Sequence, residues 1–167
     1  MMPDRMLKVV LSGDQGVGKS ALGYGLAAQD PGVPYLPTIG VEILKVQYRS
    51  KKGLLYYIQL WNTAGNVRFR SISSCFARGA FAQIYVFDKS DLGSFQSIAY
   101  WMAVTNASQC QLRILYGNCG KGEVEVPYEE AANFANQREM LYFEQSALES
   151  KPDSVVFDLI ADFSEHY

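Results

Sequence analysis

The chain reads as an α/β protein: a mostly parallel six-stranded sheet with one antiparallel edge strand and helices on both faces. Three observations lead there. A short apolar run, Met6–Ser12, ends in glycine and is followed by a helical stretch. Strand-like and helical stretches then alternate to the end of the chain. One pair of strand-like runs, Ile39–Tyr48 and Leu54–Trp61, is joined by "RSKKG", a hairpin turn that places one strand antiparallel to its neighbour.

Each element has a local reason. Met6–Ser12 is a short, mostly apolar run rather than an alternating one, which reads as a buried parallel strand. Ser20–Gln29 has helical character, weakened by Gly23 and Gly25, which each cost about 1 kcal/mol relative to alanine. Asp30–Pro37 holds three prolines and a glycine and reads as a loop. Asn62–Ile72 is polar and irregular. Phe81–Asp88 and Gln111–Tyr116 are further buried strands, and Leu141–Phe143 a short last one. Helices fit Ser94–Ala107, Pro127–Arg138 and Pro152–Phe163. The second of these carries its proline and acids at the start, where the helix dipole favours them.

The 167 residues suit one domain, 1–167, which at this size buries roughly 70% of the unfolded chain's surface. Apolar residues make up 49% and charged residues 19%, an ordinary globular balance rather than a disordered one. A net charge of −2 argues against nucleic acid as a partner, because a polyanion selects a basic excess. The cluster Arg49, Lys51 and Lys52 is explained by a hairpin tip. Three cysteines, Cys75, Cys110 and Cys119, match neither a disulfide framework nor a zinc site and point to a reducing, cytoplasmic setting. With His166 the single histidine, histidine-based triads and metal clusters are disfavoured. No run approaches the 18 apolar residues of a membrane span, the N-terminal run reads as a strand rather than a signal peptide, and "FSEHY" at the end carries no prenylation cysteine. A monomer is expected, reaching membranes only through a partner.

The chemistry concentrates in "GDQGVGKSA". Gly13, Gly18, Lys19 and Ser20 satisfy G-x-x-x-x-G-K-[ST], a match that chance gives a chain this long with a probability of roughly 1% or less. It lies between a strand and a helix, as a phosphate loop must. Glycines let successive N–H groups converge on an anion, and the helix N-terminus adds its positive end. In such a loop the lysine reaches the β- and γ-phosphates and the serine hydroxyl is a magnesium ligand.

With these residues placed, the chain resembles the Ras superfamily of small GTP-binding proteins, and its Rab branch in particular. The likeness covers nearly the whole sequence: "PTIGVE" (Pro37–Glu42), "LWNTAGNVRFRSISSCFARGA" (Leu60–Ala80), "IYVFDKSDLGSFQSIAYW" (Ile84–Trp101) and "EQSA" (Glu144–Ala147). The 18 residues from Ser20 to Thr38 equal the family's spacing between two magnesium-binding hydroxyls. The resemblance implies GTP or GDP with Mg2+ as ligands. It implies that Gly13, Asp14, Gln15, Gly16, Val17, Gly18, Lys19, Ser20 and Ala21 wrap the phosphates. Tyr35 would lie over them, Thr38 would bind magnesium and sense the γ-phosphate, and the Gly65 N–H would meet it. Asn118 and the Ser146–Ala147 loop would hold the base. Protein effectors or regulators would read a switch surface at Ile43, Trp61 and Phe76.

Several positions depart from that pattern. The family's magnesium-holding aspartate is Asn62 here, neutral and a weaker partner for the ion. The water-positioning glutamine is Asn66, one methylene shorter, so hydrolysis is expected to be slow. Gln15 is bulkier than glycine where an arginine finger would need room. The base motif N-K-x-D reads "NCGK": Cys119 replaces lysine and Lys121 replaces the aspartate that accepts from guanine. Lysine has only donors. Leu148 stands for another base-contacting lysine, and Pro31 for the packing aromatic. An alternative register, shifted by two, would make Glu123 the acceptor; the strand "RILYGN" favours the unshifted one.

Three readings follow from the sequence. One is a divergent GTP-binding switch with slow hydrolysis, and another a pseudoGTPase interaction module with little or no nucleotide. The third is a phosphate-binding protein without base preference.

Overall fold

The computed structural model describes residues 5–27, 40–66, 70–120, 122–145 and 155–166. Among them a six-stranded sheet runs in the order β2-β3-β1-β4-β5-β6. The strands are β1 (Arg5–Ser12), β2 (Val41–Arg49), β3 (Leu55–Thr63), β4 (Ala82–Asp88), β5 (Leu112–Asn118) and β6 (Leu141–Gln145). Every pairing is parallel except β2 with β3, so the expected antiparallel strand lies at one edge.

Helices cover both faces. Helices α1 (Lys19–Leu26) and α6 (Val155–Glu165) bury Leu22, Leu26, Phe157 and Ile160 against Val9, Leu11, Ile84 and Ile114. On the other face, α3 (Leu92–Gln96), α4 (Ile98–Val104) and α5 (Tyr128–Gln137) bury Phe95, Trp101 and Ala131 against Tyr85, Phe87 and Leu115. Alternate residues of one strand feed opposite cores, which is why β4 and β5 are mostly apolar on both faces.

Several boundaries differ from the sequence expectation, three of them for a visible reason. The helix expected over Ser94–Ala107 starts earlier, at Leu92, because the Asp91 carboxylate caps it by accepting from the Ser94 N–H. It is divided at Ser97, whose hydroxyl donates to the Gly93 carbonyl at 3.0 Å. The polar stretch Asn62–Ile72 is not wholly irregular. Strand β3 continues through Thr63, whose hydroxyl donates to the Leu11 carbonyl at 2.6 Å, and α2 (Arg70–Phe76) follows. Strand β6 runs on to Gln145, past the expected Phe143.

The five parallel strands end at the same edge of the sheet. That edge gathers Gly13–Ser20 after β1, Ala64–Asn66 after β3, Lys89 after β4 and Cys119–Gly120 after β5. In such sheets ligands bind beyond the carboxyl ends of the strands.

Candidate phosphate and nucleotide site

The loop after β1 has the backbone its glycines permit. Gly13, Gly16 and Gly18 take φ of 150°, 82° and 100°. A side chain at Gly13 would meet the Val86 carbonyl oxygen at 2.2 Å, and one at Gly18 the Asn118 Nδ2 at 2.3 Å. Glycine is therefore required at Gly13 by close approach, and at Gly18 by both approach and conformation. Gly18 caps α1, whose first turn carries Lys19, Ser20 and Ala21. That turn lies at the sheet edge, where a helix N-terminus directs its N–H groups toward an anion. Val17 is buried beneath the loop, while Gln15 and Gly16 are exposed.

Lys19 is 6% exposed, and its ammonium donates to the Asp14 carbonyl at 2.7 Å. Burial pushes its pKa down to about 8, partly offset by the Asp14 charge. A desolvated ammonium in a glycine cradle is a strong site for a polyanion.

Gly65 lies directly over this group. A side chain there would meet the Gln15 nitrogen and the Lys19 Nζ, each at 2.5 Å. The segment after β3, which the resemblance makes the start of the second switch, thus rests on the phosphate loop, with Asn66 half-buried beside it.

The place expected for magnesium holds neutral groups. The Asn62 Nδ2 donates to the Ser20 hydroxyl at 2.8 Å, with Asn62 fully buried. Among the described residues no cluster of three acidic, cysteine or histidine side chains could hold a metal. Among the described residues the site offers the Ser20 hydroxyl and a neutral carboxamide, where one or two carboxylates beside the ligand's own oxygens are usual, a weaker set for magnesium. Thr38, the other expected ligand, lies outside the described residues, as do Pro31, Tyr35, Lys121, Ser146, Ala147 and Leu148.

At the base end, the Asn118 Nδ2 donates to the Val17 carbonyl at 3.0 Å and joins β5 to the phosphate loop. The Cys119 side chain is exposed. Two residues to which sequence reasoning gave no individual role stand beneath this loop. Lys89 pairs with Glu144 at 2.5 Å, and both are largely buried. The Tyr142 hydroxyl also donates to Glu144, at 2.6 Å. Lys89 crosses over Gly117, where a side chain would meet the Tyr142 hydroxyl at 2.8 Å and Lys89 Cγ at 3.4 Å. The Lys89 carbonyl accepts from the N–H groups of Glu125 and Val126. A lysine at the end of the apolar run "IYVFDK" was the available signal. Glu123 of the shifted register is exposed in the loop that follows.

Trp101 is a third such residue. Fully buried on α4, its indole N–H donates to the Asp14 carboxylate at 2.8 Å.

The partner-surface residues are brought together. Ile43 and Trp61 face each other across β2 and β3, and Trp61 lies 6.1 Å from Phe76, ring to ring. Ile43 is 42% exposed, while Trp61 and Phe76 are half-buried. The Lys8 ammonium stands 3.8 Å over the Trp61 ring. Trp61 therefore packs on its neighbours and presents only part of its surface.

Comparison with known proteins agrees with this architecture. The model of the Ras family matches residues 8–164. The Ras-related protein Rab-13 of Rattus norvegicus is 35% identical over 162 residues, covering 95% of this chain and 79% of its own. The GTP-binding protein YPT1 of Saccharomyces cerevisiae is 36% identical over 151 residues, 88% of this chain and 73% of its own. The Ras-related protein RABD2a of Arabidopsis thaliana is 35% identical over 150 residues, 86% and 72%.

Proposed function

The chain belongs to the Ras family and is a Rab-like small GTPase by descent, and from that premise we propose that it is a divergent nucleotide-binding switch with slow hydrolysis and weakened guanine selectivity. The observation that carries this reading is the phosphate cradle. Gly13, Gly16 and Gly18 hold the conformations the motif requires, and Lys19 is buried among them. The base end has kept less. Asn118 still reaches the phosphate loop, which supports the register that puts Cys119 and Lys121 in the lysine and aspartate positions.

In this reading the loop amides of Gly13–Ala21 and the Lys19 ammonium bind phosphates, and the Gly65 N–H meets the outermost one. Gly65 must lift from Lys19 to admit it. Asn66 is too short to fix an attacking water, so intrinsic turnover is set at or below about 10⁻⁴ per second. Tyr35 and Thr38 would close over the ligand, and Lys121, Ser146, Ala147 and Leu148 would border the base. Effectors or regulators in trafficking would read Ile43, Trp61 and Phe76. The protein would act in the cytoplasm as a single domain and a monomer, and reach membranes through a partner. Among the described residues no helix is long and apolar enough to cross a membrane.

A specific observation favours a second reading, a pseudoGTPase module. Lys19 is already bonded to Asp14, and Ser20 to Asn62, so the cradle satisfies its own polar groups. Purification under native conditions, followed by chromatography of whatever nucleotide is released, separates the two. Guanine nucleotide in a near-stoichiometric amount supports the switch. An empty protein that takes up no added GDP overturns it and supports the module.

A further inference from the structure

Asp14 brings a carboxylate into an anion cradle. Its carboxylate carries the same sign as the ligand, and it sits five residues before the lysine that must meet that ligand. The structure resolves the conflict by dividing Asp14 between two directions. Its main-chain carbonyl faces Lys19 and accepts from the ammonium at 2.7 Å. Its carboxylate is turned toward the opposite helical layer, where the Trp101 indole N–H donates to it at 2.8 Å.

We propose that Trp101 is a positioning residue for phosphate binding: its indole N–H holds the Asp14 carboxylate out of the cradle, so that Lys19 remains available to the ligand.

Trp101 is suited to that task. It is fully buried in the core shared by α4, β4 and β5, so its ring has no freedom to follow a moving loop. An indole offers one donor and no acceptor, and a hydrogen bond from it to a carboxylate is charge-assisted. Without the indole the carboxylate loses a donor that draws it away from Lys19, and rotation toward the ammonium would let it pair there and repel incoming phosphate. Gly65 also packs on this point, since a side chain there would meet the Asp14 carbonyl carbon at 2.6 Å. Trp101 therefore ties the helical layer of α4 to the place where the second switch meets the phosphate loop.

The inference rests on the phosphate-binding reading above, and its test separates the two. GDP affinity is measured by titration calorimetry for the wild type, Trp101→Phe, Asp14→Ala and the double variant. Trp101→Phe keeps an aromatic ring in the core but removes the N–H donor together with part of the indole's volume, and the double variant separates the two effects. It is expected to weaken GDP binding about tenfold, the loss of one charge-assisted bond. The double variant is expected to bind as Asp14→Ala does, because without the carboxylate there is nothing left to hold. A Trp101→Phe protein that binds GDP as tightly as the wild type overturns the proposal. So does an equal loss whether or not Asp14 is present, since that is lost packing. If Trp101→Phe does not fold, exchange of the Trp101 indole proton decides: Asp14→Ala, a change in a surface loop, is expected to speed it at least tenfold, and unchanged exchange overturns the contact. A wild type that takes up no GDP sinks the phosphate-site reading and the positioning role with it; the exchange experiment still reports whether the contact exists.

Discussion

The Asn62 carboxamide donates to the Ser20 hydroxyl at 2.8 Å, where an acidic residue would hold a metal through water. Ser20 thus has a partner within the protein, and that partner is neutral. GDP affinity should therefore depend little on magnesium, changing less than about tenfold when the ion is chelated. Asn62→Asp should steepen that dependence by restoring a carboxylate. Calorimetric titrations with magnesium and with EDTA check both, and a strong requirement in the unmodified protein would contradict the expectation.

Burying Lys19 has a cost that the empty protein bears. Its pKa falls from 10.5 to about 8 on folding, which amounts to about 3 kcal/mol of destabilisation at neutral pH. Between those two values the unfolded chain binds the extra proton, so stability rises with pH across that window. Lys19→Met should abolish nucleotide binding yet raise the stability of the empty protein by about 1–3 kcal/mol at pH 7. Urea unfolding at pH 7 and pH 10 measures it: the advantage of the variant should shrink at the higher pH.

Two glycines of the same loop should behave differently. Gly16 and Gly18 both have positive φ, but a side chain at Gly16 meets nothing within 4 Å. At Gly18 it would strike the Asn118 Nδ2 at 2.3 Å. Gly16→Ala should cost only backbone strain, about 1 kcal/mol. Gly18→Ala should cost roughly 2–4 kcal/mol, because Asn118 must also leave the Val17 carbonyl. Thermal unfolding of both variants provides the comparison, and equal losses would contradict it.

The Lys89–Glu144 pair holds two loops that flank the base end. Lys89→Met leaves Glu144 largely buried beside the Tyr142 hydroxyl that donates to it, and should cost about 2–4 kcal/mol, discounted for partial exposure. Adding Glu144→Gln should recover much of that loss by removing the stranded charge. Denaturant unfolding of the single and double variants tests the coupling; simple additivity would mean that the pair does not act as one.

Much of this molecule is legible in its sequence because the signals are local. The run Met6–Ser12, the hairpin "RSKKG" and the glycine spacing of Gly13–Ser20 each specify a backbone shape without help from distant residues. What sequence reading missed is made by long-range approach. Trp101 meets Asp14 across 87 residues, and Lys89 reaches Glu144 only because Gly117 leaves room between them. Trp61 illustrates the same limit. The resemblance alone places it on a partner-facing surface, and its partial cover by the Lys8 ammonium and Phe76 is made by residues distant in sequence. The helix boundaries at Asp91 and Ser97 shifted for a smaller reason: side-chain bonds to the backbone outweighed the apolar period.

The most direct test compares GDP with ADP by calorimetric titration of the unmodified protein. A phosphate grip that survives beside a degraded base pocket should hold both with affinities within about tenfold of each other, since losing one acceptor costs a few kcal/mol of discrimination. The Lys121→Asp variant should widen the gap in favour of GDP. A preference for GDP of about 10⁴-fold or more in the unmodified protein would contradict that claim, because it requires a complete guanine-reading site.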